Sequence, residues 1–156
     1  LGSWDILLRP AGTEDLEEIC TIMLDTDPYT RLGYTEDTCL DTAISALEEG
    51  WAWVAVSSGK IVGFVLFRVF DGFPLGGYVR AIAVDKAYRG RGVGSILLKV
   101  AEEKIFKYRR NVFLLVSSFN KDAQRFYRSR GYEVVGEIRD ALVRGESEII
   151  MRKRRP

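Results

Sequence analysis

The chain has 156 residues, 47% of them hydrophobic and 29% charged, the balance of an ordinary globule with one core. Lys and Arg number 23 against 22 Asp and Glu, and the net charge of +1 argues against a general nucleic-acid binder. Histidine is absent, which excludes Ser-His and Cys-His nucleophiles and histidine-built zinc sites, and two cysteines cannot make a four-cysteine site. Acid–base chemistry is left to Tyr, Asp, Glu, Lys, Cys, a terminus or water.

Residues 4–9 read as a first strand, broken by the stretch from Pro10 to Gly12. Thr13 is the expected N-cap of a helix carrying Leu16, Ile19, Cys20 and Met23 at helical spacing. A turn-rich segment over 25–34 leads to a second helix over 35–49, stopped by Gly50. Runs 51–56 and 60–70 flank Ser57-Ser58-Gly59 and predict a hairpin. A central strand over 77–84 precedes an amphipathic helix over 92–108. The apolar run 112–116 predicts a strand covered on both faces. A short helix over 120–130 ends at Gly131, a natural left-handed C-cap position, and strands over 132–138 and 147–152 follow. The order β-α-α-β-β-β-α-β-α-β-β predicts a single domain of the α/β (α+β) class over residues 1–156. Its mixed sheet has about six to seven strands and about four helices.

Cys20 and Cys39 lack C-x-x-C spacing and read as a reduced intracellular pair. The basic run Arg152-Lys153-Arg154-Arg155 reads as a solvated tail. No apolar run approaches the roughly 20 residues of a membrane span, and residues 4–9 are too short and charge-interrupted for a signal peptide. A cytoplasmic protein without membrane or nucleic-acid partners is the expectation.

The most informative segment is Arg89-Gly90-Arg91-Gly92-Val93-Gly94-Ser95, between a strand and a helix. Glycines let backbone N–H groups approach a ligand, and a helix N-terminus adds donors and partial positive charge, so a phosphate is the natural guest. The segment is not a P-loop, because no Lys-Ser or Lys-Thr pair follows. It is not a dinucleotide fingerprint either: Ser95 stands at the third glycine position and Asp85 to Tyr88 separate it from the strand. A glycine turn that simply starts a helix is the bland alternative.

Two patterns together resemble the GNAT superfamily of N-acetyltransferases. The family's [Q/R]-x-x-G-x-[G/A] is met by Arg89, Gly92 and Gly94; its N-x-x-A-x-x-x-Y-x-x-x-G-[F/Y] is met by Asn120, Ala123, Tyr127, Gly131 and Tyr132. The resemblance is strongest over 77–135. It implies two splayed central parallel strands with acetyl-CoA between them and no metal. Ile82, Ala83 and Val84 would line the pantetheine arm. The N–H groups from about Arg91 to Ser95 (Gly92, Val93 and Gly94 between them) would hold the pyrophosphate with Arg89 and Arg91 adding attraction, and Gly90, Asn120 and Ala123 would complete the cofactor site.

Asn120 is either a helix cap or a pantetheine ligand, or both. Tyr127 would be the general acid toward the CoA thiolate, and Tyr132 a core residue. A Glu on a central strand often serves as base in relatives, but residues 112–118 hold no acid. The acceptor is an amine of unread identity, small molecule or protein. Asp25, Asp27, Glu36 and Asp37 stand near where the acceptor wall is expected, with Tyr29 and Tyr34 to pack its stem. Another short acyl-CoA, or a non-catalytic acetyl-CoA sensor, are the alternatives, and the protein is expected as a monomer or homodimer.

Overall fold

The computed structural model describes residues 5–49 and 51–156; Trp4 and Gly50, invoked above, lie outside them. Seven strands hydrogen-bond in the order β1-β2-β3-β4-β5-β7-β6, and four α-helices accompany them, the mixed architecture expected. They are β1 (Leu7–Pro10), α1 (Leu16–Leu24), α2 (Glu36–Glu48), β2 (Ala52–Ser57), β3 (Lys60–Gly72) and β4 (Gly76–Val84), then α3 (Val93–Phe106), β5 (Asn111–Ser117), α4 (Lys121–Ser129), β6 (Glu133–Arg139) and β7 (Ser147–Arg154). The contacts divide into two compact units. One holds the described residues up to Phe67 with Ala81–Glu103, the other Arg68–Arg80 with Lys104–Pro156.

In the first unit β1 pairs antiparallel with β2, and β2 with β3 across a two-residue turn in which Ser58 (φ 50°) and Gly59 (φ 75°) are both left-handed. That turn matches the strands' twist, which is why so short a loop closes a hairpin. Ile19 and Met23 of α1, Cys39 and Ala43 of α2, Val54, Phe64 and Leu66 are sealed from solvent in one core. Burying a Leu, Ile, Phe or Met side chain contributes about 1.5–3 kcal/mol, so this cluster dominates the unit's cohesion.

Three expectations are corrected in this unit. Thr13 does not cap α1; it opens a short 3-10 turn, Thr13–Asp15. The Asp15 carboxylate closes that turn by accepting from Gly12 N–H at 2.8 Å and also accepts from both terminal nitrogens of Arg9 at 2.7 and 3.0 Å, but makes no cap bond to α1. Cys20 and Cys39 form a disulfide instead of a reduced pair, with Cα atoms 5.8 Å apart. Their separation of 19 residues hides the fact that α1 and α2 pack side by side and bury both. Tyr29 packs in the core, edge-on to Tyr34, and so is not available to an acceptor's stem.

In the second unit β4 and β5 run parallel over three pairs, Gly77–Val79 with Val112–Leu114, and β4 continues past the last of them. β5 pairs antiparallel with β7, and β7 with β6. The strand 112–116 is covered on both faces except at Leu115, which is 40% exposed. The basic run is no free tail, because Arg152, Lys153 and Arg154 belong to β7 and Arg155 N–H donates to the Arg110 carbonyl at 2.8 Å. The ladder with β5 continues through these cations, which hydropathy alone reads as solvated ends. Helix α4 begins after Asn120 and is followed by Gly131 at φ +94°, as its sequence predicts.

Candidate active site

The glycine segment belongs to the first unit. β4 ends at Val84, and the Asp85 carboxylate accepts from Ala87 N–H at 2.9 Å, capping a short 3-10 turn over Lys86–Tyr88. Gly90 (φ +74°) and Gly92 (φ +86°) are both left-handed, a conformation costing other L-residues about 1–2 kcal/mol. These two reversals deliver the chain into α3, whose first residue Val93 is buried. Gly94 and Ser95 lie in its first turn. A Cβ added at Gly90 or Gly92 would meet nothing within 4 Å, so the loop presents open backbone. First-turn N–H groups of a helix have no intrahelical partner, and the axial dipole favours an anion there. Ala83 points into the core, while Ile82 and Val84 alternate away from it and are half-buried.

Two side chains lock this loop to the segment after α1. Arg89 donates through Nε to the Val84 carbonyl at 3.0 Å and through its guanidinium to Thr26 Oγ1 at 3.1 Å. Lys86 Nζ stands 3.5 Å from the Asp25 carboxylate. The Arg89 side chain is thus engaged within the protein, while Arg91 is exposed. Sequence spacing gives no signal for the Thr26 partnership, which joins residues 63 apart.

The second unit holds the other predicted residues. Asn120 caps α4, its side-chain oxygen accepting from Ala123 N–H at 3.2 Å. Tyr127 is 8% exposed, its ring edge-on to Tyr132 at 5.6 Å and to Phe126 at 5.2 Å. Tyr132 is a core residue, as expected. A polar cluster near these residues escaped the sequence reading. Gln124 is buried and donates to the carbonyls of Ser117 and Ser118 at 3.2 and 3.1 Å. The Ser118 hydroxyl donates to Glu146 at 2.8 Å. Glu148 is buried opposite Ser117 in the β5–β7 ladder, and burial pushes its carboxyl above the ordinary value while the Ser117 hydroxyl opposes that shift. Residues 112–118 hold no acid, but the strand that pairs with them carries Glu148. Among the described residues there is no cluster of His, Cys, Asp or Glu that could hold a metal, and no helix is long and apolar enough to cross a membrane.

Comparison with known proteins adds a family. The acetyltransferase (GNAT) family matches residues 16–132. An uncharacterized N-acetyltransferase of Methanocaldococcus jannaschii is 33% identical over 67% of this chain and 66% of its own length. An N-alpha-acetyltransferase of Sulfurisphaera tokodaii is 32% identical over 92% of this chain and 90% of its own. The fold also matches Arabidopsis thaliana Naa50, in complex with a bisubstrate analogue of CoA and a peptide. Its TM-score is 0.77 at 21% identity, covering 95% of this chain and 97% of that one.

Proposed function

Because the chain belongs to the GNAT family of acetyltransferases, we propose that it transfers an acetyl group from acetyl-CoA to a primary amine. The observation that carries this reading is the open glycine backbone at Gly90 and Gly92, leading into the first turn of α3. Backbone N–H groups over residues 90–95 hold the pyrophosphate, by the donor geometry and dipole of a helix N-terminus. The backbone of residues 82–84, continuing past the last β4–β5 pair, binds the pantetheine arm. Asn120 keeps its cap through Oδ1 and leaves its amide nitrogen as a donor suited to a pantetheine amide. Acetyl-CoA supplies an activated thioester, which the neutral amine attacks with release of CoA thiolate. Tyr127 gives its phenolic proton to that thiolate, and a buried phenol suits the task because little water competes for it.

We take the acceptor to be the α-amino group of a peptide, a reading supported by the similarity to an N-alpha-acetyltransferase along nearly the whole chain and by a fold neighbour in complex with a bisubstrate analogue. The test is release of free thiol from acetyl-CoA against peptide α-amines, lysine ε-amines and free amino acids, with the acetylated product identified by mass. Thiol release with a peptide α-amine is the expected result. Turnover confined to free amino acids would overturn the peptide class, and a protein that binds acetyl-CoA without turnover on any amine would overturn the enzyme.

A further inference from the structure

The second unit contains a buried carboxyl to which the roles above give no work. Glu148 stands opposite Ser117 of β5 and Ile138 of β6, and is 6% exposed. Paired residues of a ladder share a face and successive ones alternate, so Glu148 lies on the face of Ser117, Leu115 and Ile150. Val116, Leu114, Met151 and Lys153 occupy the other face. The end of α4 lies on that other face, since the Lys153 side chain passes over Gly131 and its ammonium sits 5.9 Å from the Tyr132 ring centroid. Tyr127 packs against Tyr132 there. The phenol and the carboxyl therefore belong to opposite faces of the β5–β7 ladder.

The surroundings of the carboxyl are polar but incomplete. The Ser117 hydroxyl beside it is 1% exposed at the residue level and has no hydrogen-bond partner of good geometry among the described residues. Two neighbouring groups are already committed, Gln124 to the Ser117 and Ser118 carbonyls and Ser118 to Glu146; Arg152, further along the same face, donates through one terminal nitrogen to Glu133, while its buried Nε has no hydrogen-bond partner among the described residues. No cation among the described residues pairs with Glu148, and Ile138 across β6 is apolar. The Ser117 hydroxyl lies close enough to favour the Glu148 carboxylate but lacks good hydrogen-bond geometry, so the buried carboxyl lowers stability unless a further polar group completes its shell.

We propose that Glu148 is the base that takes the proton from the acceptor's ammonium, directly or through one water held at the Ser117 hydroxyl. The ammonium N–H bond breaks, the proton moves to the carboxylate, and the freed nitrogen lone pair forms the bond to the acetyl carbon. The C–S electron pair departs with sulfur, which takes a proton from Tyr127 on the opposite face; the acylated nitrogen sheds its second proton to solvent, from which the Tyr127 phenolate is reprotonated, and Glu148 returns its own proton to solvent after each turnover. Burial raises the carboxyl above its ordinary value, which makes its carboxylate a stronger base than a solvated one. The inference rests on the acetyltransferase reading and gives it the base that β5 lacks.

Glu148→Gln keeps the shape and removes the base. Its kcat/KM is expected to fall about a hundredfold, the scale of one positioned acid–base group, with the acid limb of the pH profile gone. Acetyl-CoA affinity should stay within about twofold, since the carboxyl serves the acceptor and not the binding loop. Stability supplies a readout free of turnover. A carboxyl raised in the fold contributes stability that is present below its ordinary value and lost as pH rises through the raised one. The parent should therefore lose ground to Glu148→Gln as pH rises toward neutrality; the opposite sign assigns the carboxylate a structural role and overturns the proposal. If Glu148→Gln does not fold, Ser117→Ala takes its place: it removes the neighbour that favours the carboxylate, so the acid limb should move to higher pH, and an unmoved limb overturns the base. An unmodified protein that fails to bind acetyl-CoA overturns the acetyltransferase reading and the base with it. Normal binding with an unaltered Glu148→Gln profile overturns the base alone.

Discussion

The glycine loop of the first unit and the polar cluster of the second are made of different materials. Around Gly90 and Gly92 the donors offered are backbone N–H groups, and what matters is the absence of side chains. Around Tyr127, Gln124, Ser117 and Glu148 the groups offered are side chains, and what matters is which of them are buried and which are satisfied. A site of the first kind fails when something is added, and a site of the second kind when something is removed. Substitutions of the two kinds should therefore separate binding from turnover.

The largest effect is expected at Gly92. Valine there meets no neighbour but must adopt φ +86°, a strain of about 1–2 kcal/mol. It also crowds the open backbone, so acetyl-CoA affinity should fall by about ten- to a hundredfold, the scale of one or two hydrogen bonds to a charged group at about 1.5–3 kcal/mol each. Calorimetric titration of the folded variant measures this, and parental affinity would remove the pyrophosphate from the loop. Tyr127→Phe should do the reverse, lowering turnover about a hundredfold with acetyl-CoA binding nearly intact. Stopped-flow thiol release under conditions where chemistry limits the rate is the check, and unchanged turnover would return Tyr127 to core packing against Tyr132.

How much of this was legible depended on whether the signal was local. Gly90, Gly92 and Gly131 announce their left-handed backbone within a few residues, and Asn120 its cap, so both motifs stand where the sequence puts them. Glu148, the Cys20–Cys39 disulfide and the Arg89–Thr26 contact are produced by packing between segments distant in the chain, for which no spacing rule exists. The basic run misled for a related reason: charge pattern describes solvation of an isolated segment, whereas the ladder with β5 extends through it.

A smaller effect tests a device outside both sites. The Arg9 guanidinium bonded to Asp15 holds that carboxyl below its ordinary value, with the Gly12 N–H adding to the effect. The pair's stability is present above the ordinary carboxylate value and lost as pH falls through the lowered one. Asp15→Asn should cost roughly 2 kcal/mol at neutral pH, the scale of a charge-assisted hydrogen bond, and progressively less in acid. Thermal melts across pH measure it; an equal loss at every pH would mean that packing, not the ion pair, is at stake. Smallest is the acidic segment after α1. Neutralising Asp25 and Asp27 together as Asn should raise KM for the amine a few-fold and flatten its salt dependence. Because Asp25 already faces Lys86, kinetics identical to the parent would place acceptor recognition elsewhere.

The central claim is that the loop over residues 90–95 holds the pyrophosphate of acetyl-CoA. It is tested most directly by calorimetric titration of the unmodified protein with acetyl-CoA, and with acetyl-pantetheine, which keeps the thioester and arm but lacks the pyrophosphate. The account predicts that acetyl-CoA binds and acetyl-pantetheine gives no heat at the same concentrations; equal affinity for the two would contradict it.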